Sequence, residues 1–456
     1  MTFFIDNQTL NDLELFPIRG RANSIFDCYS CTETKGGSEV LHKYFRFPVA
    51  DIKFLEQRKQ QIIFFFHLNT KLKLRKRQFD FVEHYLKNRR MPLRDNILDA
   101  TKDGILNKIN PDGDYYIITN GVYSTIFILS DLQEFLAGIA DNAVPESLKG
   151  VFNQLEVFLK QKTISKILEN PPEKMQSLGS LTISRLDNLF RVKKKTEFRK
   201  LLDKIYELDV LQSMSGLMHQ KNYSLPEYVK GSEPVFEATD CYHPFLDDPV
   251  YNSFSIKTNL CFLTGPNMSG KSTFLKTVGL LVYLSHIGFP VPARTFKTSI
   301  QNGLFTTINL ADSINLGFSH FYSEVKRVKE MAINLQTHKN LVVIFDELFR
   351  GTNVKDAFEA TLLIIKSLAA IKSSLFFVSS HLLEVAEELI HSETIDFKCL
   401  ETILKNEMAE YDYKLKNGIS SERLGLKIIE SENIKAILES VVEQQQVNTE
   451  KNDERK

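Results

Sequence analysis

The stretch "LTGPNMSGKSTFLKTVGLL" at 263–281 constrains this chain more than any other. Gly265, four residues, then Gly270, Lys271 and Ser272 is the G-x-x-x-x-G-K-[ST] spacing of a phosphate-binding loop. Chance supplies those four fixed positions in only roughly 1–2% of chains this long. The flanks give the loop its required context, because "LCFL" suits a buried strand and "STFLKTVGLLVYLS" the helix that follows. Glycines let main-chain N–H groups wrap phosphate oxygens, and the helix N-terminus adds its positive end. Gly265, Pro266, Asn267, Met268, Ser269, Gly270, Lys271, Ser272 and Thr273 are therefore expected to hold ATP. Lys271 is expected on the β and γ phosphates and the Ser272 hydroxyl on Mg²⁺.

Hydrolysis needs more than a cradle. In "LVVIFDE" (341–347) an apolar strand ends at Asp346, expected to join Ser272 in holding the metal, and Glu347 follows as the expected general base. "LFFVSSH" (375–381) reads as a third parallel strand. It ends at His381, where open α/β sheets place their ligands. That histidine is either a polariser on the γ-phosphate side or an ordinary hydrogen-bonded residue.

A chain of 456 residues fits two or three domains. Before residue 230 the texture is helical. "SRLDNLFRVKKKTEFRKLLDKIYELDVLQSMSGLMH" (184–219) predicts one long helix, and "NPDGDYYIITNGVYS" (110–124) a loop or small hairpin. Short apolar strands then alternate with helices up to about 440, and the polar residues 441–456 read as a disordered tail. The first 230 residues carry 34 basic and 28 acidic side chains and the rest 23 and 29, an asymmetry that permits a polyanionic partner without demanding one. The clusters "KLKLRKR", "KNRR" and "RVKKK" either meet phosphates or are solvated helix faces. The five scattered cysteines and the absence of a secretory leader in "MTFFIDNQTL" predict reduced thiols in a cytoplasm. Cys28 and Cys31 lack the second ligand pair of a structural zinc site, and no apolar run reaches the roughly 20 residues that cross a bilayer.

With these pieces placed, the sequence resembles the MutS family of DNA-repair ATPases. "TGPNMSGKST", "GFPVPA" (288–293) and "DELFRGTN" (346–353) are similar to its motifs, the last departing at Asn353. "VSSHLLEV" and "YKLKNGISSERLGLKI" (413–428) also resemble family segments, with Ser380 in place of a threonine. "SIFDCYSCTETKGGSEVLHKYFRFPV" looks like the start of the family's helical core, with Glu39 where an arginine is usual, and the opening "FIDNQTLNDLEL" like that core's first strand. The resemblance implies an α/β P-loop NTPase domain of ABC type at 231–440, preceded by a mainly α-helical core and lever domain at 1–230. The mismatch-binding and connector domains are not expected, and the clamp is expected to be reduced or absent.

It further implies a homodimer with composite ATP sites. Ser319 in "DSINLGFSHFYSEVKRV" would reach the partner's nucleotide, although Phe318 and His320 depart from the family's neighbours of that serine. Val250 or Tyr251 stands where the family contacts the base. Duplex or branched DNA and repair proteins are the implied partners, with no membrane. An ATP-gated scaffold that never touches nucleic acid is the alternative. Another P-loop enzyme, a kinase or a transporter subunit, is the second, although no L-S-G-G-Q signature supports a transporter.

Overall fold

A computed structural model describes residues 2–18, 20, 23–94, 96–109, 112–139, 144–171, 178–231, 234–308, 320–405, 408–420 and 434–442. Two compact units emerge, one of Arg19–Leu225 with Ile287–Pro290, the other of Met1–Ile18, Pro226–His286 and Val291–Lys456.

The first is helical. Ser24 and Asp27 exchange hydrogen bonds in a capping box that starts α2 (Ile25–Tyr29), α1 (Asn7–Asp12) lying in the other unit. Thr34 caps α3 (Lys35–Arg46) and Asp51 caps α4 (Ile52–His67). Then follow α5 (Lys76–Lys87), α6 (Ile97–Ile109), α7 (Gly113–Ala137), α8 (Glu146–Leu159), α9 (Lys162–Leu168), α10 (Ser180–Asn188) and α11 (Lys195–Lys221).

Two expectations fail here. Residues 112–124 are no hairpin: Asp112 accepts from Asp114 N and starts the 25-residue α7, while 110 and 111 lie outside the described residues. Asp112 and Gly113 are a helix start, and Tyr115, Ile118, Val122 and Tyr123 are buried in the core, where a Cβ on Gly121 would lie 2.2 Å from the Tyr85 ring. Tertiary burial overrides local propensity. The long helix of 184–219 is interrupted by a π-turn at Leu189–Lys193, where Arg191 turns inward onto buried Asp187 at 2.6 Å.

The second unit holds two sheets. The larger has the order β1 (Phe4–Ile5), β7 (Gly303–Thr307), β8 (Leu341–Asp346), β9 (Leu375–Ser380), β5 (Leu260–Thr264), β10 (Ile395–Lys405) and β11 (Met408–Asn417). Only the β10–β11 pair is antiparallel. The smaller runs β2 (Glu227–Val229), β6 (Thr295–Ser299), β3 (Phe236–Cys241), β4 (Asn252–Ser255). Between strands lie α12 (Lys271–Ile287), α13 (His320–Thr337), α14 (Val354–Ala369) and α15 (Leu383–Leu389). Every residue of β5, β7, β8 and β9 is buried, which is why β5, β8 and β9 read as apolar runs rather than alternations.

The opening residues correct the reading of 1–230 as a single helical domain. β1 adds to the large sheet beside β7, and the helix after it is held there by polar contacts. Thr306 N donates to Thr9 Oγ1 at 2.9 Å, and Asp12 Oδ2 accepts from Thr306 Oγ1 at 2.7 Å and Ile308 N at 2.9 Å. Arg327 of α13 pairs with Asp6 and stacks over Phe305 at 3.6 Å. Among the described residues, no helix is long and apolar enough to cross a membrane. The tail expected from 441 lies outside the described residues beyond 442.

Candidate nucleotide site

The loop between β5 and α12 bends through three positive-φ residues: Gly265 at +153°, Met268 at +68° and Gly270 at +97°. A Cβ on Gly265 would stand 2.6 Å from Leu400 O and 2.9 Å from Ser269 Oγ, so the first position admits only glycine. Ser269 Oγ is buried and has no hydrogen-bond partner, an orphan inside the cradle. Lys271, 5% exposed, donates to Gly265 O at 2.8 Å and Pro266 O at 3.0 Å. Burial lowers its pKa, opposed by the charges of Glu347 and Asp346.

Parallel pairing sets Asp346, the last residue of β8, opposite Ser379 of β9, and Ser380 opposite Thr264. That register brings the loop's hydroxyl and the strand-end carboxylate together: Ser272 Oγ donates to Asp346 Oδ2. Ser379 Oγ donates to the other oxygen, Oδ1, at 2.6 Å. A hydroxyl and a carboxylate converging on one point are hard oxygen donors of the kind Mg²⁺ takes, so the residues present fit that ion.

Glu347 follows at φ +59°, a left-handed conformation unusual for a non-glycine residue. Lys271 Nζ lies 3.5 Å from its Oε1, and Arg350 Nε at 2.9 Å and His381 Nδ1 at 3.3 Å meet its Oε2. Burial pushes the carboxyl up, but the His381 hydrogen bond and the Arg350 and Lys271 charges prevail and hold it down at about 2.

The loop from Asn267 to Thr273 and Glu347 line a cleft of about 730 Å³. Of the two base-contact candidates, Val250 faces this cleft, whereas the Tyr251 ring packs edge-on against Tyr242 at 5.2 Å. Asn267, Met268 and Thr273 line it too, with Met268 81% exposed. Ser319 and its neighbour Phe318 lie outside the described residues.

Three participants escaped sequence reasoning. Ser379 and Arg350 stood inside recognised motifs without an assigned role. Tyr413 belongs to the hairpin strand β11, where Asn252 Nδ2 donates to its main-chain oxygen at 3.0 Å, and its ring lies 3.3 Å from where a Gly270 Cβ would sit. An aromatic residue inside "YKLKNG" was the available signal.

A sequence model of MutS domain V matches residues 261–451. The DNA mismatch repair protein MutS of Petrotoga mobilis is 24% identical across 93% of this chain and 62% of its own length. The DNA mismatch repair protein MSH3 of Arabidopsis thaliana is 28% identical over 62% of this chain and 29% of its own length. The corresponding figures for the MutS of Anaplasma phagocytophilum are 32%, 49% and 27%. The chain thus spans less than two thirds of these relatives. The likeness extends beyond the matched domain into the helical unit, so the chain is similar to MutS proteins over most of its length, with a MutS domain V at 261–451.

Proposed function

We propose that this chain is a Mg²⁺-dependent ATPase that pairs with a second copy and acts on DNA, in repair or recombination. The observation that carries the reading is the meeting of Ser272 with Asp346 beside Lys271 and Glu347. The amides of 265–273 wrap the phosphates, Ser269 Oγ finds its missing partner there, and Lys271 leaves the loop carbonyls for the β and γ oxygens. Ser272 and Asp346 would hold the metal, whose charge would offset that of the phosphates. Glu347 orients and deprotonates the attacking water, and His381, in contact with the same carboxylate, steadies it. Val250 and Tyr413 offer an apolar and an aromatic wall to the base.

By family resemblance the helical unit serves as core and lever, and Ser319 reaches the partner's nucleotide. Closure of two nucleotide-filled units would move the levers. DNA as the target is supported by the relatives' names as mismatch repair proteins.

Hydrolysis by the purified chain, with and without homoduplex, mismatched and branched DNA, tests the reading alongside Lys271→Ala and Glu347→Ala. Turnover that responds to DNA and is abolished in both variants is expected. A chain that ignores DNA in binding and turnover is the ATP-gated scaffold instead, and normal hydrolysis by Glu347→Ala removes Glu347 as the base.

A further inference from the structure

Glu347 does not stand free to receive a water. Arg350 Nε holds its Oε2 at 2.9 Å, and the same guanidinium donates through Nη2 to Asp346 O at 3.2 Å. Arg350 is 45% exposed and lines the cleft together with Lys271 and Ser272, within the same cavity a triphosphate would enter. The turn that aims it is unusual. Glu347 at φ +59° and Phe349 at +62° are two left-handed non-glycine residues within three positions. Such a turn persists only where its surroundings over-determine it.

Those surroundings come from both sides. Glu347 N donates to Ser379 O at 3.2 Å and Ser379 Oγ at 3.2 Å. On the other side, Glu324 of α13 is 5% exposed and accepts from Arg350 N at 3.1 Å and Gly351 N at 3.4 Å. A buried carboxylate that accepts from two main-chain amides fixes the loop, and through it the reach of the Arg350 side chain.

We propose that Arg350 is a latch on Glu347 that the terminal phosphate of bound ATP releases, and that Glu324 is the positioning residue that sets the latch. The inference rests on the ATPase reading above. A guanidinium prefers the doubly charged terminal phosphate to a single carboxylate, and its fork matches phosphate oxygens. Once a γ-phosphate enters, Arg350 transfers to it and Glu347 is left to meet a water. ADP lacks that group, so with ADP bound Arg350 stays on Glu347. The chain thereby distinguishes substrate from product through one side chain.

Equilibrium binding of fluorescent ATP and ADP to the full chain, with Mg²⁺, tests this in wild type, Arg350→Ala, Glu324→Ala, Glu324→Gln and the double alanine variant. Arg350→Ala is expected to weaken ATP about tenfold or more while ADP affinity stays within about twofold, in line with one charge-assisted contact. Glu324→Ala is expected to reproduce that loss, Glu324→Gln to restore part of it, and the double variant to be no worse than Arg350→Ala alone. An unchanged ATP-to-ADP ratio in Arg350→Ala overturns the latch. Additive losses in the double variant overturn the role of Glu324. Should Glu324→Ala lose ADP binding as well, the half-exposed Arg350 and the milder Glu324→Gln decide the matter. Wild type that binds neither nucleotide sinks the ATPase reading itself, a result distinct from failure of the latch.

Discussion

Replacing Ser379 with alanine probes how the strand-end carboxylate is aimed. The hydroxyl is fully buried, donates to Asp346 Oδ1 at 2.6 Å and accepts from Glu347 N at 3.2 Å. Alanine removes one oxygen and leaves no cavity of consequence, so the effect is polar rather than steric. A hydrogen bond to an ionised carboxylate contributes about 1.5–3 kcal/mol. Glu347 N keeps the Ser379 carbonyl at 3.2 Å, so the loss falls on Asp346, which then rotates away from the point it shares with Ser272. Partners of metal ligands carry about 10–100-fold in affinity, the same range. The Mg²⁺ concentration giving half-maximal hydrolysis at saturating ATP is therefore expected to rise about 10–100-fold, with metal-free ADP binding unchanged. An unmoved Mg²⁺ curve in Ser379→Ala refutes the orienting role. If Asp346→Ala leaves that curve unmoved as well, the assignment of the metal to Asp346 falls with it.

Gly265→Ala places a methyl 2.6 Å from a main-chain oxygen at φ +153°, a strain of roughly 1–3 kcal/mol that only a loop shift relieves, so ATP binding is expected to drop at least tenfold while circular dichroism stays native. Wild-type affinity in that variant contradicts the cradle geometry. His286 is fully buried, accepts from Gln301 N at 3.0 Å and faces Val282 O at 2.7 Å, and burial pushes its pKa from 6.5 to about 4. The unfolded chain takes up this proton below about pH 6.5 and the folded chain only near pH 4, so stability falls as pH drops through that window. Between pH 7 and 4.5 wild type is expected to lose about 2 kcal/mol more than His286→Gln in urea unfolding, and equal losses would rule this out.

The parts of the site legible in the sequence are those whose chemistry is local. Glycine spacing around Lys271 needs no knowledge of the fold, and neither do the apolar runs ending at Thr264, Asp346 and Ser380, because strands covered on both faces carry no alternation to misread. Ser379 and Glu324 were invisible for the opposite reason. Each acts across 26 or more positions on a partner that only strand order and helix placement bring near, and a single polar side chain has no period. Residues 110–124 misled because the same Asp and Gly that mark a turn also start a helix, and only contact with Tyr85 decides between them. The two-residue β1 is too short to announce itself, and its partner strand starts at Gly303.

That pairing has a consequence for how the molecule is made. Phe4 and Ile5 leave the ribosome some 300 residues ahead of the end of the strand they join, at Thr307. At cellular elongation speeds of 5–20 residues/s the wait is roughly 15–60 s. Throughout that interval the leading segment has no sheet to enter, while the intervening helices are free to settle. The segment therefore closes the α/β unit as a late event of biogenesis. An amino-terminal fusion that tethers or shields it would be expected to stall maturation without touching a single residue of the nucleotide cleft.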